Sequence, residues 1–187
     1  MSNLLGGLLR WLKTIFISSN KYMTNDEVKV EASVTVQCEP KIKNENLLLV
    51  KRPVDEKYPI SSPYGWRENP FKKGERKFHD GIDLSVPVGT PVYAMASGSC
   101  YLAGYENPNN DKQGFGLRVM QEAQIEGKTL YLWYGHLSEI KIKPVEQIKE
   151  GQIIGFSGNS GSSTGPHLHV QAREKDTGIL FDMVFYA

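Results

Sequence analysis

Apolar and polar positions are distributed differently in the two parts of the chain. Val28, Val30, Ala32, Val34, Val36 and Cys38 alternate with Lys29, Glu31, Ser33, Thr35 and Gln37, the period-two pattern of a half-buried strand. Ahead of them, Leu5, Leu8, Leu9, Leu12, Ile15 and Phe16 recur at helical spacing with Arg10 and Lys13 off the stripe, which predicts a short amphipathic helix weakened by Gly6 and Gly7. Residues 41–46 form a polar break and 47–50 a short buried run, and the prolines at 53 and 59 mark a linker. Residues 1–57 therefore read as a small anchoring or docking module with its linker, and 58–187 as the main domain, with the boundary near residue 55.

Beyond Tyr58 the pattern changes to short β-prone runs at 91–95, 98–105, 115–121, 129–136, 152–156 and 167–172, separated by Gly, Pro and Asn. One helical turn is expected around 145–149, closed by Gly151. The fold class that follows is mostly β: an antiparallel sandwich or open barrel-like sheet of about 130 residues, an ordinary domain size.

Composition narrows the function classes. With 40% hydrophobic and 23% charged residues among 187, the chain can build a core. Lys+Arg of 22 against Asp+Glu of 21 leaves no cationic excess for nucleic acid, so no nucleic-acid partner is expected. Cys38 and Cys100 are too few for a disulfide scaffold or a Cys-rich zinc module, and the sequence does not decide whether they are bridged. The apolar stretch 4–17 falls short of the ~20 residues of a membrane span. It also lacks the flanks of a cleavable signal peptide. Its expected role is docking on the protein body or another subunit, with a membrane or virion partner for residues 1–50 as the alternative.

The four histidines, His79, His136, His167 and His169, all fall in the second part. In a strand, His167 and His169 project to one face. Gly81 lets the chain bend so that His79 and Asp83 can converge. Two imidazoles and a carboxylate form a donor set for one zinc ion with a position left open. The helical H-E-x-x-H arrangement is absent, so a different scaffold must carry the set. Spacing alone leaves open which two histidines are ligands.

Ser62-Pro63-Tyr64-Gly65-Trp66-Arg67, Phe78-His79-Asp80-Gly81-Ile82-Asp83-Leu84, Gly89-Thr90-Pro91-Val92, Tyr134-Gly135-His136-Leu137, Gly158-Asn159-Ser160-Gly161 and Ser163-Thr164-Gly165-Pro166-His167-Leu168-His169 occur in the order of a known family. Over residues 58–187 the chain resembles the lysostaphin-type zinc endopeptidases that cut peptidoglycan peptides. The resemblance implies a grooved, mostly antiparallel sheet, zinc ligation by His79, Asp83 and His169, and catalytic roles for His136 and His167 in proton transfer and transition-state stabilisation. It does not say which of the two is the base.

Members that cut glycine bridges resemble one another in a tyrosine several residues before the first ligand histidine. Residues 71–78 contain none, so stem-peptide or direct cross-link cleavage is expected on equal terms. Tyr64 and Tyr134 are assigned to packing. Arg67 is expected to brace a loop, with pairing to a groove carboxylate as the alternative. The overall expectation is a zinc metalloendopeptidase acting on the cell wall, delivered by a phage virion or during lysis. The alternatives are an inactive peptidoglycan-binding or hydrolase-activating domain and a virion structural protein.

Overall fold

The computed structural model describes residues 46–187, so the predicted amphipathic helix, the alternating segment 28–38 and Cys38 lie outside the described residues. Among the described residues every regular element is a strand. They are β1 (Leu47–Lys51), β2 (Ile60–Ser62), β3 (Gly65–Glu68), β4 (Arg76–His79), β5 (Ile82–Leu84), β6 (Pro91–Tyr93) and β7 (Gly98–Tyr105), then β8 (Leu117–Ile125), β9 (Lys128–Ile140), β10 (Gln147–Ile148), β11 (Ile153–Ser157), β12 (Leu168–Glu174) and β13 (Leu180–Tyr186).

One large, curled open sheet runs β1-β13-β12-β9-β8-β7-β10, with β11 branching from β9 to β6 and β5 branching from β12 to β2. A separate hairpin joins β3 to β4. The mostly β, open-sheet architecture read from the sequence is the one found. Pairing is antiparallel except where β1 lies parallel to β13, with Leu48 opposite Met183 and Val50 opposite Phe185. Leu47–Lys51, on the amino-terminal side of the boundary expected near residue 55, is thus a strand of this sheet.

Alternation sorts the two faces. Leu130, Leu132 and Tyr134 of β9, Val119, Gln121 and Ala123 of β8, and Leu168, Val170 and Ala172 of β12 are buried together. Those side chains alternate along their strands with Tyr131, Trp133, His169 and Gln171, which strand geometry directs to the opposite face. Tyr134 is fully buried. Its hydroxyl donates to Gln121 Oε1 at 2.7 Å and accepts the Met95 N–H at 2.8 Å, so both its ring and its polar tip are satisfied in the core. Tyr64 packs edge-on against Phe78. The packing assignment of both tyrosines holds.

The helical turn expected at 145–149 is not formed. Val145 takes a positive φ of 71° and Gln147–Ile148 pair with β7. Pro144 offers no N–H, and the edge of β7 satisfies this backbone instead: Val145 N–H donates to Cys100 O at 2.7 Å and Cys100 N–H to Glu146 O at 2.8 Å.

Candidate active site

Three strands bring the candidate ligands to one point. β5 pairs with β12 so that Asp83 stands directly opposite His169, while His79 ends β4 and reaches the same place across the turn at Gly81. That turn needs glycine: a Cβ there would lie 2.1 Å from Val170 O and 2.9 Å from the His169 ring. All three side chains are buried.

The donor atoms form a small triangle. His79 Nε2 is 3.1 Å from Asp83 Oδ1 and 3.2 Å from His169 Nδ1, and His169 Nδ1 is 2.8 Å from Asp83 Oδ1. The His79 Nδ1–H donates to the Pro63 carbonyl at 2.8 Å, so in the neutral ring Nε2 is a lone pair facing a carboxylate oxygen. A proton on His169 Nδ1 can bridge one edge of this triangle, whereas a cation would engage all three atoms at once. Ligand atoms about 2.1 Å from a tetrahedral zinc are separated by roughly 3.4 Å, close to these edges. The three residues fit the metal that the resemblance implies, and they form the group that could hold an ion among the described residues.

Electrostatics agree with that fit. Burial opposes ionisation of Asp83, but the close His169 and His79 ring nitrogens outweigh it and hold the carboxyl well below its usual range. Burial is the largest influence on His169 and pushes its pKa down, against the pull of Asp83. One carboxylate and neutral imidazoles would leave a bound dication with net positive charge. Arg67 Nη2 lies 3.4 Å from Asp83 Oδ2. The arginine therefore pairs with the groove carboxylate, the alternative to the loop-bracing role expected for it. Pairing of Arg67 with Lys77 across the β3–β4 hairpin places it there.

His136 and His167 face the same cleft, their rings 4.5 Å apart. Each is oriented by a backbone carbonyl: Nδ1–H of His136 donates to Ser160 O at 2.7 Å, and Nδ1–H of His167 to Gly165 O at 2.8 Å. Both Nε2 atoms are thereby left as acceptors, and that of His167 is 3.6 Å from Asp83 Oδ1. His136 has a φ of 58°, unusual for a residue with a side chain, and its N–H is fixed by Phe115 O at 2.7 Å. The Ser160 carbonyl is held where loops 106–116 and 158–166 touch backbone to backbone. A Cβ at Gly161 would meet Gly114 O and Gly116 N at 2.4 Å. Burial, followed by the neighbouring His167 and His169 charges, drives the His136 pKa down to about 4.

The five residues open into a cleft of ≈ 320 Å³ whose lining includes Arg67, Phe71, Phe115, Thr164 and Gln171. The basic run 72–77 is solvent-exposed, and Lys77 reaches the rim. Sequence reading missed Gln171, although its i+2 spacing from His169 signals the same strand face. It also missed the carbonyls of Pro63, Ser160 and Gly165, which are backbone atoms and leave no sequence signal.

Residues 77–180 match the model of peptidase family M23, and the chain belongs to that family. It is 41% identical over 114 residues to the DD-carboxypeptidase/endopeptidase Mpg of Neisseria meningitidis serogroup B, covering 61% of this chain and 24% of that protein. The peptidoglycan DD-endopeptidase ShyA of Vibrio cholerae is 38% identical over 120 residues, 64% of this chain and 26% of ShyA. The chain thus matches about a quarter of the length of these curated relatives. Among solved structures, the catalytic domain of lysostaphin from Staphylococcus simulans superposes with a TM-score of 0.57 at 34% identity, covering 67% of this chain and 89% of that domain. The lysostaphin-type resemblance read from the motifs is borne out.

Proposed function

We propose that this chain is a zinc-dependent endopeptidase of bacterial peptidoglycan, acting on the cell wall from outside the cytoplasm. His79, Asp83 and His169 are its metal ligands, and His136 and His167 carry its protons. The observation that carries the reading is the convergence of three mutually close potential ligand atoms facing two imidazoles whose Nε2 atoms are free to take a proton. The relatives named DD-endopeptidase and DD-carboxypeptidase/endopeptidase support a peptidoglycan peptide as substrate.

Zinc bound by these residues supplies Lewis acidity, which makes water usable as a nucleophile near neutral pH and polarises the scissile carbonyl. The protein's own groups manage the proton. Water adds to the carbonyl carbon, an imidazole Nε2 accepts its proton, and that proton passes to the leaving amine nitrogen as the C–N bond breaks. His167 is the better place to hold it, because Asp83 Oδ1 lies 3.6 Å from its Nε2. His136 resists charging and orients water or the carbonyl from its fixed position. Arg67 holds the other oxygen of Asp83, leaving Oδ1 turned to the histidines.

Residues 1–57 are proposed to include a docking or anchoring module that delivers the domain to its substrate, on a phage virion or during lysis. The test of the function is digestion of purified peptidoglycan of defined cross-bridge types by wild type and His169→Ala, with new amino termini identified by mass spectrometry. New termini with wild type alone are expected. Equal digestion by both proteins would overturn the metal's role.

A further inference from the structure

Two polar groups beside the metal triad have no place in that scheme. Gln171 lies two residues beyond His169 on β12, only 4% exposed, and it lines the same cleft. No hydrogen bond joins its carboxamide to any group among the described residues. The amide atoms are nonetheless not sealed from solvent, unlike the nearby Trp133 Nε1, which is fully buried and unpartnered. Trp133 stands opposite Gln171 in the β9–β12 register. A carboxamide that is largely buried, has no protein partner and still reaches the cleft is left to water in the free enzyme. A ligand entering the cleft can replace that water with its own hydrogen bonds.

We infer that Gln171 is a substrate-binding residue whose carboxamide pairs with a backbone peptide group of the peptidoglycan peptide, near the bond being cut. A carboxamide carries a donor and an acceptor and no charge, which complements a peptide group better than it does a carboxylate or an ammonium. Two residues along a strand is about 7 Å, within the span of two residues of an extended peptide. Phe115 lines the same cleft, stacked on Trp133 at 5.3 Å and edge-on to His169 at 5.2 Å, and sets an apolar ring beside this part of it. In such surroundings one hydrogen bond discriminates strongly.

This inference rests on the endopeptidase reading, and its test separates the two. Wild type, His169→Ala, Gln171→Met and Gln171→Leu are assayed on a purified cross-linked muropeptide dimer, alongside zinc content and thermal midpoint. Both Gln171 variants are expected to keep their zinc and to melt at or above the wild-type temperature. KM should rise about tenfold while kcat changes less than twofold, because a hydrogen bond to a neighbouring peptide group that does not itself react is lost equally from ground and transition states. A structural role for Gln171 would instead lower the midpoint in both variants. Wild-type KM in both, or activity lost only in step with zinc or folding, overturns the inference alone. A wild type that cleaves nothing overturns the endopeptidase reading and this inference with it.

Discussion

Replacing Gly81 by alanine tests how the fold places its ligands. The added Cβ would sit 2.1 Å from Val170 O, against an ordinary contact of 3.4 Å or more, a deficit of 3.4 − 2.1 = 1.3 Å. It would also press on His169 Cε1 and Nε2 at 2.9 Å each. The obstacle is backbone that is itself paired, Val170 with Ile82, so the turn and β12 must separate. Overpacking of this kind costs about 3 kcal/mol, the upper end of the usual range. At about 2–4 °C per kcal/mol for a chain of this size, the melting midpoint should fall by roughly 6–12 °C. A ligand shift of about 1 Å exceeds the roughly 0.2 Å that a zinc site tolerates, and misplacement on that scale costs about 100-fold in rate. Thermal denaturation, zinc content and muropeptide cleavage should therefore all respond. Gly165→Ala is the control, since a Cβ there meets nothing within 4 Å and φ is ordinary. Gly81→Ala with wild-type midpoint and wild-type zinc content would refute the reasoning.

His136 should leave a mark on stability against pH. The unfolded chain takes up this proton near 6.5, but the folded protein only near 4. Stability is therefore unaffected above 6.5 and is lost as pH falls between those values. At about 1.4 kcal/mol per pH unit the loss reaches roughly 3 kcal/mol, and His136→Gln should remove most of that slope in urea titrations of metal-free protein. Tyr134→Phe should cost about 1–3 kcal/mol in the same assay, by orphaning Met95 N–H and Gln121 Oε1, and leave zinc content unchanged because the hydroxyl is buried in the core.

The sequence made the long strands and the metal donors legible for the same reason: both depend on periodicity or spacing. Runs at 98–105 and 129–136 announced β7 and most of β9, and the turn at Gly81 announced the approach of His79 to Asp83. Strands of three or four residues, β2 to β5, are too short for alternation to register. The turn at 145 resembled a helix locally, but the open edge of β7 offered better partners. Arg67 was ambiguous in sequence because its target, Asp83, lies on another strand. The left-handed backbone of His136 could not be foreseen either, since it is imposed by Phe115 O and the packed loops around Ser160.

Diffraction from zinc-loaded crystals on either side of the zinc absorption edge measures the decisive feature directly. A single anomalous peak about 2.0–2.2 Å from His79 Nε2, His169 Nδ1 and Asp83 Oδ1 is expected, absent from crystals of Asp83→Asn grown in the same solution. No peak among those three atoms, or a peak held by other side chains, would contradict the assignment of the site.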